Sequence, residues 1–263
     1  MLMVSTAQEI ASPKKEVLVT ESGIFTKNNL SHLYQLGYDE VEIQFADVAT
    51  LEEIKKRLPE CLGWEIIDQK KNKLYIRSIA TTLETEFDIL LRKSFQLTNE
   101  MAKSVLEALQ QQQYSHLSEI RNLETLNNKF TDICIRILNK RGYKIPSRTM
   151  QIYEVVKNLE RIADEFKYIC DLLIDGNGKG KLAKEALGLF KDAVEYYLAF
   201  YELFYKFDPE LKKRMYEQRK VLLKKGKGLL EKSTGVTSMF MYHTLDLVQN
   251  TYDGAGGYFA LML

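Results

Sequence analysis

The rhythm of apolar and polar positions changes once along the chain. Between residues 16 and 80 the stretches "EVLVTE" and "EVEIQF" alternate at period two, the mark of half-buried strands. "TLEEIKKRL" carries apolar residues at helical spacing, and "WEIIDQ" and "KLYIRSI" flank a turn at Lys70 to Asn72 as a hairpin. These segments predict a small α+β module over 16–80. Residues 1–15 are polar and without pattern, which predicts a loose tail.

From residue 81 the period is helical throughout. Phe87, Leu90, Leu91, Met101, Val105 and Leu109 share one face of a first long helix, with Thr81 and Glu84 placed as a capping box at its start. After a break near Tyr114, a second stripe runs from Ile120 to Ile137 and closes at "KRG", where two cations in the last turn precede Gly142. Pro146 and Ser147 open a third helix whose stripe runs from Ile152 to Leu173, and "DGNGKG" ends it. The plan then repeats: a helix over about 181–207, a stop and restart at Asp208 and Pro209, a helix to about 232, "STG", and a last helix from 236. The predicted fold is mainly α, with tandem antiparallel three-helix bundles over 81–178 and 179–263 preceded by the α+β module. At about 1.5 Å rise per residue, helices of roughly 25 residues make each bundle on the order of 40 Å long.

Composition narrows the function classes. With 263 residues, 45% of them hydrophobic, the chain can bury a sizeable core. Its 37 basic and 36 acidic side chains leave a net charge of +1, which argues against direct nucleic-acid binding. Cys61, Cys134 and Cys170 are widely separated and lack a CxxC spacing, so neither a disulfide framework nor a thiolate zinc site is indicated, and a reducing cytoplasm fits. No cationic and apolar leader opens the sequence, and no run of eighteen apolar residues occurs. The most apolar segment, 236–263, is broken by His243, Asp246, Gln249 and Asp253 and reads as a bundle helix. Templates for GxSxG nucleophiles, Gly-rich phosphate loops, HExxH and ExxH are missing, so no enzyme is predicted.

Within the third helix, Glu160 and Asp164 sit one turn apart, where like charges repel by a few tenths of a kcal/mol. Lys157 lies three residues before Glu160, Lys167 three after Asp164, and Arg161 reaches Asp164 or Glu165, so a solvated charge ladder accounts for the spacing. The functional account requires a second row of acids. The second helix offers Glu124 and Asn128 at the same spacing, and hard oxygen ligands of this kind suit magnesium, calcium, manganese or iron.

"YEVVKNLERIADEFKYI" resembles the signature helix of the PhoU family, and the helix order resembles that family's tandem three-helix repeat. "LYQLGYDEVEIQF" and "LGWEIIDQKKNKLYIRSI" are similar to the connecting module of its archaeal-type members. Such members often begin with an AbrB-like DNA-binding hairpin domain, and the fifteen residues before Glu16 are too few to hold one. The resemblance implies a cytoplasmic regulator of phosphate homeostasis that restrains a membrane phosphate transporter and its phosphate-sensing signalling protein, acts as an adaptor rather than an enzyme, and forms a homodimer. It also implies metal binding through the acidic motifs, with Glu160, Asp164 and Glu124 as ligands. Asn128 stands where an aspartate is expected. In the second repeat Gln249 replaces the glutamate and Asp253 is kept, while Glu217 is followed four residues on by Val221. The reduced set implies one ion at most (iron, zinc or magnesium), with Gln249 and Asp253 as a degenerate second set. Two alternatives stand beside the adaptor: a transcriptional regulator acting on DNA directly or through a partner, and a carboxylate-bundle metal-binding protein.

The fifth helix adds one further feature. "LKKRMYEQRKVLLKKGKG" carries eight cations and a single acid, Glu217. It reads either as a solvated outer face or as a docking face centred on Lys220, Lys224 and Lys225, for an acidic partner or for the anionic inner leaflet of a membrane, where each near-surface cation contributes about 1 kcal/mol.

Overall fold

The computed structural model describes residues 15–18, 27–45, 47–79, 85–175 and 182–262. The expected capping box at Thr81 and Glu84, most of the expected tail and most of "DGNGKG" lie outside these residues.

The module is a four-stranded sheet with two helices. Its strands are β1 (Lys15–Leu18), β2 (Glu40–Gln44), β3 (Trp64–Lys70) and β4 (Lys73–Ser78), in the order β1-β2-β4-β3. β1 runs parallel to β2, and the other two pairings are antiparallel. Val41 lies opposite Ile76 and Ile43 opposite Leu74, so the period-two pattern places these four apolar side chains in the core. The β3–β4 hairpin turns at Lys71 and Asn72, as its sequence indicates, with a bulge between Ile66 and Asp68. Helix α2 (Val48–Arg57) starts where the Asp47 carboxylate accepts from the Thr50 N–H at 2.7 Å.

Helix α1 (Lys27–Gln35) was not legible. Its apolar stripe is only Leu30, Leu33 and Tyr34, a single i, i+3, i+4 set. Tyr34 is fully buried, its ring packs edge-on to Trp64 at 5.3 Å, and its hydroxyl donates to the Leu62 carbonyl at 2.8 Å.

Six long helices make up most of the other described residues: α3 (Phe87–Gln111), α4 (Leu117–Arg141), α5 (Thr149–Asp175), α6 (Lys184–Tyr205), α7 (Pro209–Leu230) and α8 (Gly235–Leu261). The stops work as their chemistry requires. Gly142 ends α4 at φ +71°, where a side chain is strained. Asp208 caps α7 by accepting from the Glu210 and Leu211 N–H groups at 2.9 and 3.3 Å, with Pro209 in the first turn.

The two sets of three helices do not stand apart. α5 packs on α3 and α4 on one side and on α8 on the other, and the α5–α8 contact is the most extensive between any two helices. Small residues permit it. A Cβ added to Gly254 would lie 3.2 Å from Asn158 Cβ and 3.3 Å from the Phe200 ring, and one added to Gly257 would lie 3.0 Å from the Gln151 carbonyl oxygen. Gly254→Leu should therefore lower stability by about 1–3 kcal/mol through overpacking, whereas Gly256→Ala, with open space around it, should be neutral or raise stability by up to about 1 kcal/mol. Denaturant midpoints for the pair test this: equal shifts would mean that α8 does not need its close approach to α5.

Candidate functional site: the acidic seam between the fourth and fifth helices

Helices α4 and α5 present acids to each other along their shared seam. On α4, Glu124, Asn128 and Asp132 follow one turn apart, and on α5, Glu160 and Asp164 do. The seam divides these acids into two clusters.

In the first, Lys167 Nζ lies between Glu124 Oε1, at 2.9 Å, and the Asp164 carboxylate. Asn128 Nδ2 donates to Glu124 Oε1 at 2.7 Å. All three charged groups are largely buried. Burial raises the Asp164 pKa to about 6, with the nearby Glu124 charge adding to the rise and Lys167 opposing it. Burial also pushes Glu124 upward, but Lys167 and Asn128 outweigh it and hold this carboxyl below its usual range. Lys167 is raised because its two carboxylates outweigh the cost of its own burial.

The second cluster belongs to Asp132, a residue that sequence reasoning passed over. Its Oδ1 accepts from Gln35 Nε2 on α1 at 2.6 Å. Burial raises its pKa to about 6; the Gln35 hydrogen bond, Arg57 and Lys157 act against the rise and the Glu160 charge adds to it. Glu160 itself pairs with Lys157.

The structure thus brings Glu124 and Asp164 together and sets Glu160 beside Asp132 instead. The positive charge that the first pair needs is supplied by Lys167. Among the described residues no three His, Cys, Asp or Glu side chains are grouped so as to hold a metal ion. With an ammonium between its two closest carboxylates, the donor set does not fit a resident ion.

Arg136, one turn beyond Asp132, is 1% exposed and joins the module to the bundle. Its guanidinium donates to the Tyr34 carbonyl at 3.0 Å, the Tyr38 carbonyl at 2.7 Å and Asp39 Oδ1 at 2.6 Å. It lies 5.1 Å from the Tyr34 ring centre and 5.8 Å from that of Trp64. Lys140 Nζ reaches the same Asp39 oxygen at 2.7 Å, and Asn139 donates to the Gln35 carbonyl at 2.8 Å.

Residues 91–173, from the first turns of α3 almost to the end of α5, match the PhoU domain family. The chain carries a PhoU domain. No curated protein matches the chain, and no solved structure matches it. The PhoU domain contains both acidic clusters and Arg136, and it meets the α+β module through α1 and α4.

Outside the matched PhoU residues, the corresponding seam of the second helix set holds one cation, one amide and one acid. Arg219 Nη2 on α7 donates to Gln249 Oε1 at 2.8 Å, and Gln249 Nε2 donates to Asp253 Oδ1 at 2.9 Å. The Arg219 guanidinium lies 4.0 Å from the Tyr252 ring centre. Glu217 and Val221 are exposed, so α7 adds no acid to this seam.

Helix α7 buries only Met215, Leu222 and Gly226, which leaves much of it in solvent. Lys220 and Lys224 are exposed. Lys220 lies over the Tyr216 ring at 4.6 Å, and Lys224 has no ion-pair partner among the described residues. Lys225 is met by Asp192 of α6 at 2.9 Å. No helix among the described residues is long and apolar enough to cross a membrane.

Proposed function

We propose that the chain is a non-enzymatic regulator of phosphate uptake, working in the cytoplasm by contact with a membrane phosphate transporter or its signalling partner. The observation that carries this reading is the PhoU domain at residues 91–173. Its seam supports an adaptor role, because the acids there are matched by Lys167, Lys157 and Gln35 rather than aimed into an open catalytic cleft. The contact surface in this reading is the exposed cationic face of α7, which carries Lys213, Arg214, Lys220, Lys224 and Lys227 beside Tyr216 and Val221.

The test uses Lys220→Glu, Lys224→Glu and Lys225→Glu together. Binding of the parent protein to transporter-containing membranes should fall steeply with salt, since exposed charges are screened over about 8 Å at physiological ionic strength. The reversed protein should bind roughly tenfold or more weakly at low salt, with its helical circular dichroism unchanged. Cells holding only the reversed protein should take up phosphate in phosphate-rich medium as fast as cells without the chain. Normal restraint of uptake by the reversed protein would remove α7 as the docking face, and uptake unchanged on deleting the whole chain would overturn the regulatory reading.

A further inference from the structure

One end of the helical bundle holds a cleft that the adaptor reading leaves unused. It lies where the first turns of α3, the α4–α5 connection and the last turns of α6 and α8 meet, and its volume is about 420 Å³. That is within the range of small-molecule sites and far more than a single inorganic anion fills. Its polar lining is cationic. Arg92, Lys144 and Arg148 face one acid, Asp88, and Asp88 pairs with Lys144 at 3.3 Å. Neither Arg92 nor Arg148 has a carboxylate partner among the described residues. The rest of the wall is largely aromatic and apolar, with Phe204, Tyr205 and Tyr258 prominent.

These parts are arranged with some order. The Arg92 guanidinium stacks 4.9 Å from the Tyr205 ring centre. Phe204 and Tyr258 pack at 5.0 Å between ring centres, holding the aromatic wall in place from α6 and α8. Burial raises the Tyr205 and Tyr258 phenols above their ordinary value, and as neutral hydroxyls they can donate and accept hydrogen bonds.

We propose that this cleft binds a small organic phosphate bearing a planar ring, of the size and chemistry of a mononucleotide. Guanidinium forks bind phosphate oxygens in a bidentate manner, and Arg92 and Arg148 are the two cations here not already matched by a carboxylate. An aromatic wall accepts a flat heterocycle by stacking, a contact available to every nucleobase. A ringless anion would leave that wall wet, and an uncharged ring would leave the guanidiniums unmatched. The site draws α3 from the PhoU domain and α6 and α8 from the second helix set, so its ligand would bridge the two. None of this depends on the adaptor reading, because no transporter or membrane enters the argument.

Isothermal titration of the whole chain with adenosine monophosphate, ribose 5-phosphate, adenosine and inorganic phosphate separates the contributions. The nucleotide should bind with a Kd below about 1 mM and roughly tenfold tighter than each of the other three, because only it meets both halves of the cleft. The double change Arg92→Ala and Arg148→Ala should weaken it by about tenfold or more with unchanged circular dichroism. Arg92→Lys with Arg148→Lys keeps the charge, and should recover part of that loss. The proposal is overturned if the nucleotide binds no tighter than inorganic phosphate or adenosine, or if the alanine variant binds it as well as the parent.

Discussion

Arg136→Met should detach the α+β module from the helical bundle and cost about 2–3 kcal/mol of stability, less than breaking a fully buried charge pair because Asp39 is half-exposed. The change removes one of two donors from each of the Tyr34 and Tyr38 carbonyls, which keep the Gly37 N–H at 3.0 Å and the Trp64 Nε1–H at 3.2 Å, and it takes away the cation stacked on Tyr34 and Trp64. Asp39 keeps Lys140 at 2.7 Å, which is why the loss is not larger. The chain has one tryptophan, Trp64, and it is 2% exposed at this joint. Its emission should move to the red at denaturant concentrations where far-ultraviolet circular dichroism, dominated by the six long helices, is still native. Coincident transitions at the parent's midpoint would show that Arg136 does not hold the joint.

Asp132→Asn has the opposite sign. Its carboxyl titrates near 6 in the folded chain and near 3.9 when unfolded. Between those values the folded state keeps a proton that the unfolded state has lost, so stability falls as pH rises from about 4 to about 6. The penalty is complete at neutral pH and absent below about 4; roughly two pKa units correspond to about 3 kcal/mol. Asparagine keeps an oxygen to accept from Gln35 and carries no charge to bury. The variant should therefore be more stable than the parent by about 1–3 kcal/mol at pH 7, and close to it at pH 4, with most of the slope between gone. Equal pH dependence in the two proteins would show that Asp132 is not the group responsible.

Both residues lie in the part of α4 whose packing the sequence analysis did not anticipate. A stripe from Ile120 to Ile137 gave the helix its register, and the α4 boundaries followed from "KRG". What the stripe could not show was a second cover. From Thr131 to Leu138 eight consecutive residues are buried, which on a helix means contact all round its circumference. The bundle covers one side and the module's α1 the other. "TDICIRIL" carries that signal, since its apolar residues are not confined to one face, but periodicity alone does not name the covering element. α1 itself was too short to be recognised, so the joint it makes was hidden with it. Among the site residues, Glu124 and Asp164 were legible because antiparallel neighbours at matching spacing face each other. Glu160 was misplaced relative to them because the seam runs past in opposite directions, which brings the N-terminal half of α5 to Asp132. Lys167 was read correctly as the neighbour of Asp164, but its reach across to Glu124 depends on helix packing that a single helix does not reveal.

The α5–α8 contact also bears on how the chain is made. α5 ends at Asp175, and the helix that covers its other side extends to Leu261. At a synthesis rate of about 5–20 residues per second, the apolar face that α5 turns toward α8 stays uncovered for several seconds after the PhoU domain itself has been translated. Over that interval the nascent chain presents a long sticky surface, and its protection falls to whatever meets the chain at the ribosome.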